Sequence, residues 1–198
     1  MIFKKLPTKG FINVFIIVIF PLFLTIYIPL NFTTYNSNWY EYNNRENITQ
    51  NQTNLAKNAS TNLINYFTYQ ETLNNQFSQT EKLHMKDVRN IYNKLFFIAI
   101  LSFTIFIIFF KKNKKHLKKF SKINIITILS LILILPFFQY FWTKIFHPIL
   151  FKNNYWIYYK HEISYLLFPR TFFINSLILI IITSIIINLI IYFKIKEK

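Results

Sequence analysis

The chain lacks cysteine altogether and has one glycine, Gly10, among its 198 residues. Without cysteine there is no disulfide, no thiolate ligand for a metal and no thiol nucleophile. With a single glycine there is no Gly-rich loop of the kind that cradles phosphate groups. Acidic residues are also scarce, because 7 Asp and Glu stand against 23 Lys and Arg, and the formal net charge is +16.

Long apolar runs dominate what is present. Hydrophobic residues make up 53% of the chain, and the mean hydropathy is +0.29. A run of about 18 or more apolar residues is typical of a transmembrane helix. We therefore predict an all-α, polytopic membrane protein that forms a single membrane domain over residues 1–198. Its four transmembrane helices are predicted at residues 11–30, 92–110, 123–142 and 172–193.

The positive charge is unevenly distributed. The stretch before the first run, the Lys-rich loop 111–122 and the stretch after residue 193 together hold 13 basic residues and one acidic residue, against ten and six elsewhere. The positive-inside rule then predicts a bacterial plasma-membrane protein with both termini and this loop in the cytoplasm, and with outer segments 31–91 and 143–171. No small-residue cleavage site follows the first run, so we expect a retained signal anchor. A short Lys-rich turn offers no folded basic surface, so we expect no nucleic-acid partner.

The outer segment 31–91 is predicted to contain a loop followed by two helices. Residues 31–54 are rich in Asn and have no apolar period, which indicates a loop. From Leu55 to Phe67 apolar residues recur at helical spacing, which predicts an amphipathic helix that lies in the membrane interface or walls a groove. After a break, Ser78-Gln79-Thr80-Glu81 is a capping-box pattern that begins a helix running into the second span.

The first turns of that second helix carry an imidazole between two carboxylates. At 100° per residue, His84 falls on the apolar face, and Glu81 and Asp87 border it. The cations fall on the opposite face, toward water or headgroups: Lys82, Lys86 and Arg89. One interpretation is structural, with a capping Glu81, a salt-bridged Asp87 and a packed His84. The other is a reactive His84 that Glu81 or Asp87 orients.

The second outer segment, 143–171, brings another imidazole to the outer end of the third span. His147 follows that span, and we expect Pro148 to end the helix there. Residues 152–154 are predicted to form a turn, and residues 163–169 a short re-entrant or interfacial piece. If the second and third spans pack side by side, His84 and His147 could meet. Two imidazoles can pass protons near neutral pH, which indicates acyl transfer between two substrate groups.

Other chemistries are less well supported. Glu81-x-x-His84 is half of a di-iron motif, and no second pair exists. A mononuclear metal site from His84, Asp87, His147 and His161 stays open as an alternative, although we expect no metal and no cofactor. The competing functions are a non-catalytic four-span membrane scaffold and a small transporter. The predicted spans contain no ionisable residue near any centre, which disfavours transport.

Two blocks of the sequence resemble a known membrane family. "LINYFTYQETLNNQFSQTEKLHMKDVRNIY" and "IFHPILFKNNYWIYYKHEISYLLFPRTFF" are similar to the signature blocks of the four-span bacterial family that includes the lipoprotein intramolecular transacylase. The second block departs from that family at the Asn153–Asn154 turn, where Gly is usual, and at Tyr159-Lys160 and Arg170, where acidic residues are usual.

The resemblance implies a specific acyl transfer. The enzyme of that family moves the sn-2 acyl chain of a diacylglyceryl-modified lipoprotein onto the amine of its N-terminal cysteine, which gives the lyso-form. It implies that His84 and His147 are catalytic, and that the partners are a lipoprotein N-terminus and membrane lipid. We expect Glu81, Asp87 and Ser78 to support the pair. The candidate substrate contacts are Trp156, Tyr158, His161 and Arg170.

Overall fold

The computed structural model describes residues 8–44, 49–112 and 114–194 of the chain. All regular structure within these ranges is helical. The α-helices are α1 (Thr8–Tyr35), α2 (Ser37–Asn44), α3 (Gln50–Phe67), α4 (Gln79–Lys112), α5 (Lys114–Ser130), α6 (Phe138–Tyr140), α7 (His147–Leu150), α8 (Ile163–Leu167) and α9 (Arg170–Lys194).

Several of these helices have the length and composition of membrane spans. Among the described residues, three stretches are long and apolar enough to cross a membrane: Gln79–Ile108, Leu117–Leu150 and Arg170–Lys194. The apolar stretch Ile19–Tyr35 of α1 is shorter. An apolar helix about 20 residues long satisfies all its backbone hydrogen bonds internally while it crosses the hydrocarbon core. The chain is therefore an all-α membrane protein.

The helical path from Lys114 to Leu150 changes its hydrogen-bond register along the way. After α5 it tightens into a 3₁₀ segment at Leu131–Phe137, and it widens into a π turn at Phe141–Phe146. Pro148 does not end this helix, contrary to our expectation. It lies in the first turn of α7, directly after the π turn, and the helix ends only where Phe151 becomes extended. The Lys-rich stretch 111–122 is helical rather than a turn, apart from residue 113, which lies outside the described residues.

The chain divides into two compact units, each assembled from separate stretches. The first comprises the described residues of Met1–Pro29, Leu95–Ile132 and Ile180–Lys198. Its interior contains hydrogen-bonded polar groups. Asn188 Nδ2 donates to the Ser184 carbonyl at 2.8 Å, and the Ser184 hydroxyl donates to the Thr25 carbonyl at 2.7 Å. Asn124 Nδ2 donates to Asn188 Oδ1 at 3.3 Å. These bonds join α1, α5 and α9 in the way that small polar residues join membrane helices.

The second unit comprises the described residues of Leu30–Lys94 and Leu133–Leu179 and contains a buried aromatic and aliphatic core. The loop predicted for residues 31–54 is wrong, since α1 runs to Tyr35, α2 follows, and α3 begins at Gln50. The reason is tertiary packing, which overrides weak helix propensity. Tyr40 is buried and donates to the Thr34 carbonyl at 2.9 Å, and Asn43 accepts from Asn175 Nδ2 at 2.8 Å.

The amphipathic helix expected between Leu55 and Phe67 is present within α3. Its buried face carries Ala59, Leu63 and Phe67 and packs against α2 and α8. Leu55, which we placed on that face, is exposed. The helix also begins earlier than predicted, at a capping box in which the Gln52 side chain accepts from the Thr49 amide at 3.0 Å. The inward face of α3 is therefore set by its last three turns.

Candidate active site

The two histidines that the sequence singled out lie together inside the second unit. His84, on α4, and His147, at the start of α7, have ring centroids 6.3 Å apart and ring planes inclined by 30°. Both side chains are buried, with 4% and 7% of their surface exposed. At this separation a single bound group can reach both rings, either directly or through one water molecule.

His147 has a fixed orientation. Its Nδ1 lies 2.9 Å from the Trp142 carbonyl oxygen. A carbonyl can only accept a hydrogen bond, so Nδ1 carries the hydrogen and the neutral ring has its lone pair on Nε2. The Trp142 ring meets the imidazole edge-on at 4.8 Å, and the Trp156 ring lies 4.6 Å away. The ring therefore presents a defined acceptor nitrogen.

His84 is held by packing rather than by a carboxylate. Phe151 and Tyr158 meet its ring edge-to-face, at centroid distances of 4.7 and 5.7 Å. Its Nδ1 is buried, and no hydrogen-bond partner for it lies within the described part of the chain. Leaving a buried polar atom unpaired costs about 1–3 kcal/mol, and a catalytic role is one of the recognised reasons why native structures retain such an atom. His84 thus retains an unused nitrogen beside the second imidazole.

Glu81 fastens two helix N-termini together. Its Oε2 accepts from the Ser78 amide and its Oε1 from the Ser164 amide, both at 2.6 Å. The Ser78 hydroxyl accepts in return from the Glu81 amide at 3.2 Å, so the predicted capping box at the start of α4 is confirmed. The same hydroxyl donates to Glu162 Oε1 at 2.9 Å. Glu81 therefore bonds the backbone at the starts of α4 and α8 rather than the Nδ1 of His84, which we expected either Glu81 or Asp87 to orient.

Asp87 joins α4 to the turn that precedes Trp156. Its Oδ2 accepts from Asn153 Nδ2 at 2.9 Å, and Asn153 Oδ1 accepts from the Tyr155 amide at 3.1 Å. The turn predicted at residues 152–154 is confirmed, since residues 152–154 bend and the second bond closes a local turn around Asn153. No local pattern indicates Asn153 as the partner of Asp87, because the two residues are 66 positions apart and only the fold brings them together.

The four candidate substrate contacts separate into two pairs. Trp156 and Tyr158 touch the imidazoles, and burial raises the pKa of the Tyr158 phenol, which keeps it a donor. Arg170 is exposed at the first residue of α9. His161 is exposed and stacks on Tyr159 at 5.8 Å. It lines a groove of about 340 Å³ between α3 and α8, bounded also by Leu55 and Tyr165 among others.

Within the described residues, no three His, Asp or Glu side chains cluster as metal ligands.

Arg89 departs from the helical-wheel prediction. Its guanidinium lies over the Tyr66 ring at 4.0 Å and over the Tyr69 ring at 4.5 Å, and its Nη1 donates to the Tyr66 carbonyl at 3.2 Å. The end of α3 covers Arg89, one of the three cations predicted to meet water or headgroups, whereas Lys86 is exposed. A cation interacts favourably with the carbonyl groups at a helix C-terminus and with the faces of aromatic rings. Arg89 therefore holds α3 against α4.

Comparison with known proteins adds the family. A family model described as "Lipoprotein intramolecular transacylase Lit" matches residues 11–173. The chain belongs to the Lit family. No curated protein sequence matches it.

Solved structures match this Lit-family chain along most of its length. The membrane-integral lipoprotein intramolecular transacylase Lit from Bacillus cereus aligns with a TM-score of 0.77 and 21% identity, covering 91% of each chain. A variant of that protein with a histidine replaced by arginine gives 0.73 and 21% identity over 93% of this chain and 90% of that one. A variant with a histidine replaced by alanine gives 0.72 and 22% identity over 93% and 92%. At this identity the likeness establishes the fold.

Proposed function

We propose that the protein is a membrane acyltransferase that moves the sn-2 acyl chain of a diacylglyceryl-cysteine lipoprotein to the α-amine of the same cysteine. The product is the lyso-form lipoprotein, with one acyl chain on the amine and one left on the glyceryl group. The observation that carries the proposal is the buried imidazole pair, with ring centroids 6.3 Å apart, in a chain of the Lit family.

The reaction moves one acyl group and, in net terms, one proton. The amine nitrogen forms a bond to the ester carbonyl carbon, and the bond from that carbon to the sn-2 oxygen breaks. Nε2 of His147 accepts the proton that the amine loses, because Nδ1 already donates to the Trp142 carbonyl. His84, as the imidazolium, delivers a proton to the departing glyceryl oxygen through Nδ1, which has no partner among the described residues, and it regains that proton from Nε2 of His147. Each assisted transfer contributes on the order of 10²–10⁴-fold.

Proximity supplies the rest of the rate. Amine and ester belong to one molecule, so holding them in contact converts the attack into a unimolecular step. Phe151 contacts both imidazoles, at 4.7 and 5.7 Å from the two rings. Together with Trp156 and Tyr158 it surrounds the pair with aromatic surface, which excludes water from the ester.

The membrane arrangement belongs to the same proposal. Four spans carried by α1, α4, the path from α5 to α7, and α9 place both termini in the cytoplasm of a bacterium. The Lys-rich stretch 111–122 on that side supports this orientation through the positive-inside rule. The imidazole pair is then at the extracellular face of the plasma membrane, where mature lipoproteins are anchored.

The test is expression in a bacterium that lacks lipoprotein N-acylation. Mass spectrometry of a lipoprotein's N-terminal peptide should show one acyl chain on the amine and one on the glyceryl group. His84→Ala and His147→Ala should each leave the diacylglyceryl peptide with a free amine. His116→Ala, in the Lys-rich stretch 111–122, is the matched control and should behave like the parent.

If the protein is instead a non-catalytic membrane scaffold, the same experiment should give the opposite result. A scaffold would leave the lipoprotein unmodified with well-expressed parent protein, and the two histidines would be replaceable. An unmodified amine under those conditions would reject the proposed activity. A modified amine that survives both His→Ala changes would keep the activity and reject the imidazole pair as its site.

A further inference from the structure

The helix that carries His147 leaves the α register directly before that residue. Over Phe141–Phe146 the chain forms a π turn, and the backbone amide of His147 bonds the carbonyl of Trp142, five residues earlier. The same carbonyl oxygen lies 2.9 Å from His147 Nδ1. One backbone oxygen therefore accepts from both the main chain and the ring of His147.

A regular α-helix cannot make this double contact. At 3.6 residues per turn, positions five apart differ by about 140° around the axis, so the side chain of His147 would point away from Trp142. In the π turn the two rings lie edge to face at 4.8 Å. A return to the α register would rotate the His147 side chain by about 100°, the angle of one residue. That rotation would break the Nδ1 bond and take the ring away from His84.

Pro148, the next residue, disfavours that return. Proline has no N–H to bond the carbonyl of Lys144, and in an α-helix its ring clashes with that carbonyl. Membrane helices accommodate such a residue by local 3₁₀ or π adjustments. A proline alone does not create a π turn, because α1 contains Pro21 and Pro29 within regular helix. Pro148 differs from those prolines because it follows a histidine. The His147 ring gives the Trp142 carbonyl a second hydrogen bond, and this bond stabilises the wider turn.

We infer that Pro148 is a positioning residue, which holds the π turn at Phe141–Phe146 in place and so aims His147 Nε2 at the substrate. The consequence for catalysis rests on the proposed function, whereas the geometry of the turn does not. Pro148 touches no reacting atom in this mechanism. It acts through the tautomer and the direction of the His147 ring. π turns within α-helices are frequent at functional sites, and here the displaced residue is the proposed base.

The test compares Pro148→Ala with Pro136→Ala, a proline in the 3₁₀ segment of the same helix. Two readouts are needed on the full-length protein in detergent: kcat and KM for acyl transfer, and ¹⁵N NMR of the labelled imidazoles, assigned with His84→Gln and His147→Gln. We expect Pro148→Ala to lower kcat by about 10²-fold, the scale of a small misplacement. KM should stay within about twofold. The His147 signals should move away from the Nδ1–H tautomer while those of His84 persist, and Pro136→Ala should change neither readout.

Two results would overturn the inference. One is a Pro148→Ala protein with undiminished kcat. The other is a protein with lowered kcat whose His147 signals match those of the parent. If Pro148→Ala does not fold, the parent spectrum decides, because the Nε2–H tautomer of His147 contradicts the anchoring and the Nδ1–H tautomer supports it. A parent that transfers no acyl group would reject the proposed function, and the NMR comparison would still decide the role of Pro148.

Discussion

The Glu81 side chain acts as a clamp, because its two carboxylate oxygens bond the starts of α4 and α8. Replacing Glu81 by glutamine removes one of these two bonds while the side chain keeps nearly the same shape. The carboxylate is 1% exposed and accepts two short backbone bonds, from the Ser78 amide that begins α4 and from the Ser164 amide that begins α8. A glutamine side chain has one acceptor oxygen and one donor NH₂ group. It can therefore satisfy only one of the two amides, and its NH₂ group faces the other donor.

The expected loss of stability follows from that mismatch. A hydrogen bond to a charged group contributes about 1.5–3 kcal/mol, and a buried amide left unpaired costs about 1–3 kcal/mol. The lost negative charge at the N-terminus of α4 adds about 0.3–1 kcal/mol. Since these contributions overlap, we expect Glu81→Gln to lower the unfolding free energy by about 2–4 kcal/mol. For a chain of this length that corresponds to a fall in Tm of about 5–15 °C.

The assay is thermal unfolding in detergent, with Glu71→Gln as the matched control. Glu71 is exposed and accepts from Asn62 Nδ2 at 2.9 Å, so its replacement should cost less than about 1 kcal/mol. A Glu81→Gln protein that unfolds at the same temperature as the Glu71→Gln protein would refute the clamp. A loss restricted to acyl transfer, with unchanged Tm, would instead place Glu81 in the chemistry.

Three further predictions concern other contacts of the fold. Arg89→Ala should lower the unfolding free energy by about 1–3 kcal/mol, because it removes a guanidinium that stacks on two tyrosines and bonds a helix C-terminus. The control Lys86→Ala, at an exposed lysine, should change the unfolding free energy by less than about 0.5 kcal/mol. Asn188→Ala should cost about 1–2 kcal/mol in detergent unfolding and the exposed Ser130→Ala almost nothing; equal effects would contradict an interhelical role. Burial raises the pKa of Tyr40, so above about pH 10 the phenol ionises only in the unfolded state. The stability of the parent protein should therefore fall as the pH rises above that value, and Tyr40→Phe should reduce this fall when unfolding is measured at alkaline pH.

The features of the fold that could be predicted from the sequence are those that a local pattern of residues determines. The capping box at Ser78 and Glu81 was recognisable, because both of its bonds join residues three apart. The inward direction of His84 followed from helical periodicity, and its burial beside His147 is as expected. Long apolar runs gave the helical membrane class directly, since only helices and closed barrels satisfy backbone groups in lipid.

The remainder depended on contacts between distant parts of the chain. Residues 37–44 form a helix because Tyr40 is buried among core residues, which composition alone cannot reveal. Arg89 left its expected position because the last turn of α3 folds over it. Glu81 bonds Ser164, 83 residues away, so no local pattern could identify that partner. The π turn before His147 is a local feature, but no residue pattern indicates that the His147 ring and the His147 amide bond the same Trp142 carbonyl.

The most direct test of the central claim follows one labelled acyl chain. Purified protein in phospholipid vesicles is given a diacylglyceryl lipopeptide whose sn-2 chain alone carries a heavy isotope. Fragment-ion mass spectrometry then locates the label. The proposed mechanism predicts the label on the cysteine amine with the parent protein and on the glyceryl group with His84→Ala or His147→Ala. An unlabelled acyl group on the amine, or label that never leaves the glyceryl oxygen, would contradict it.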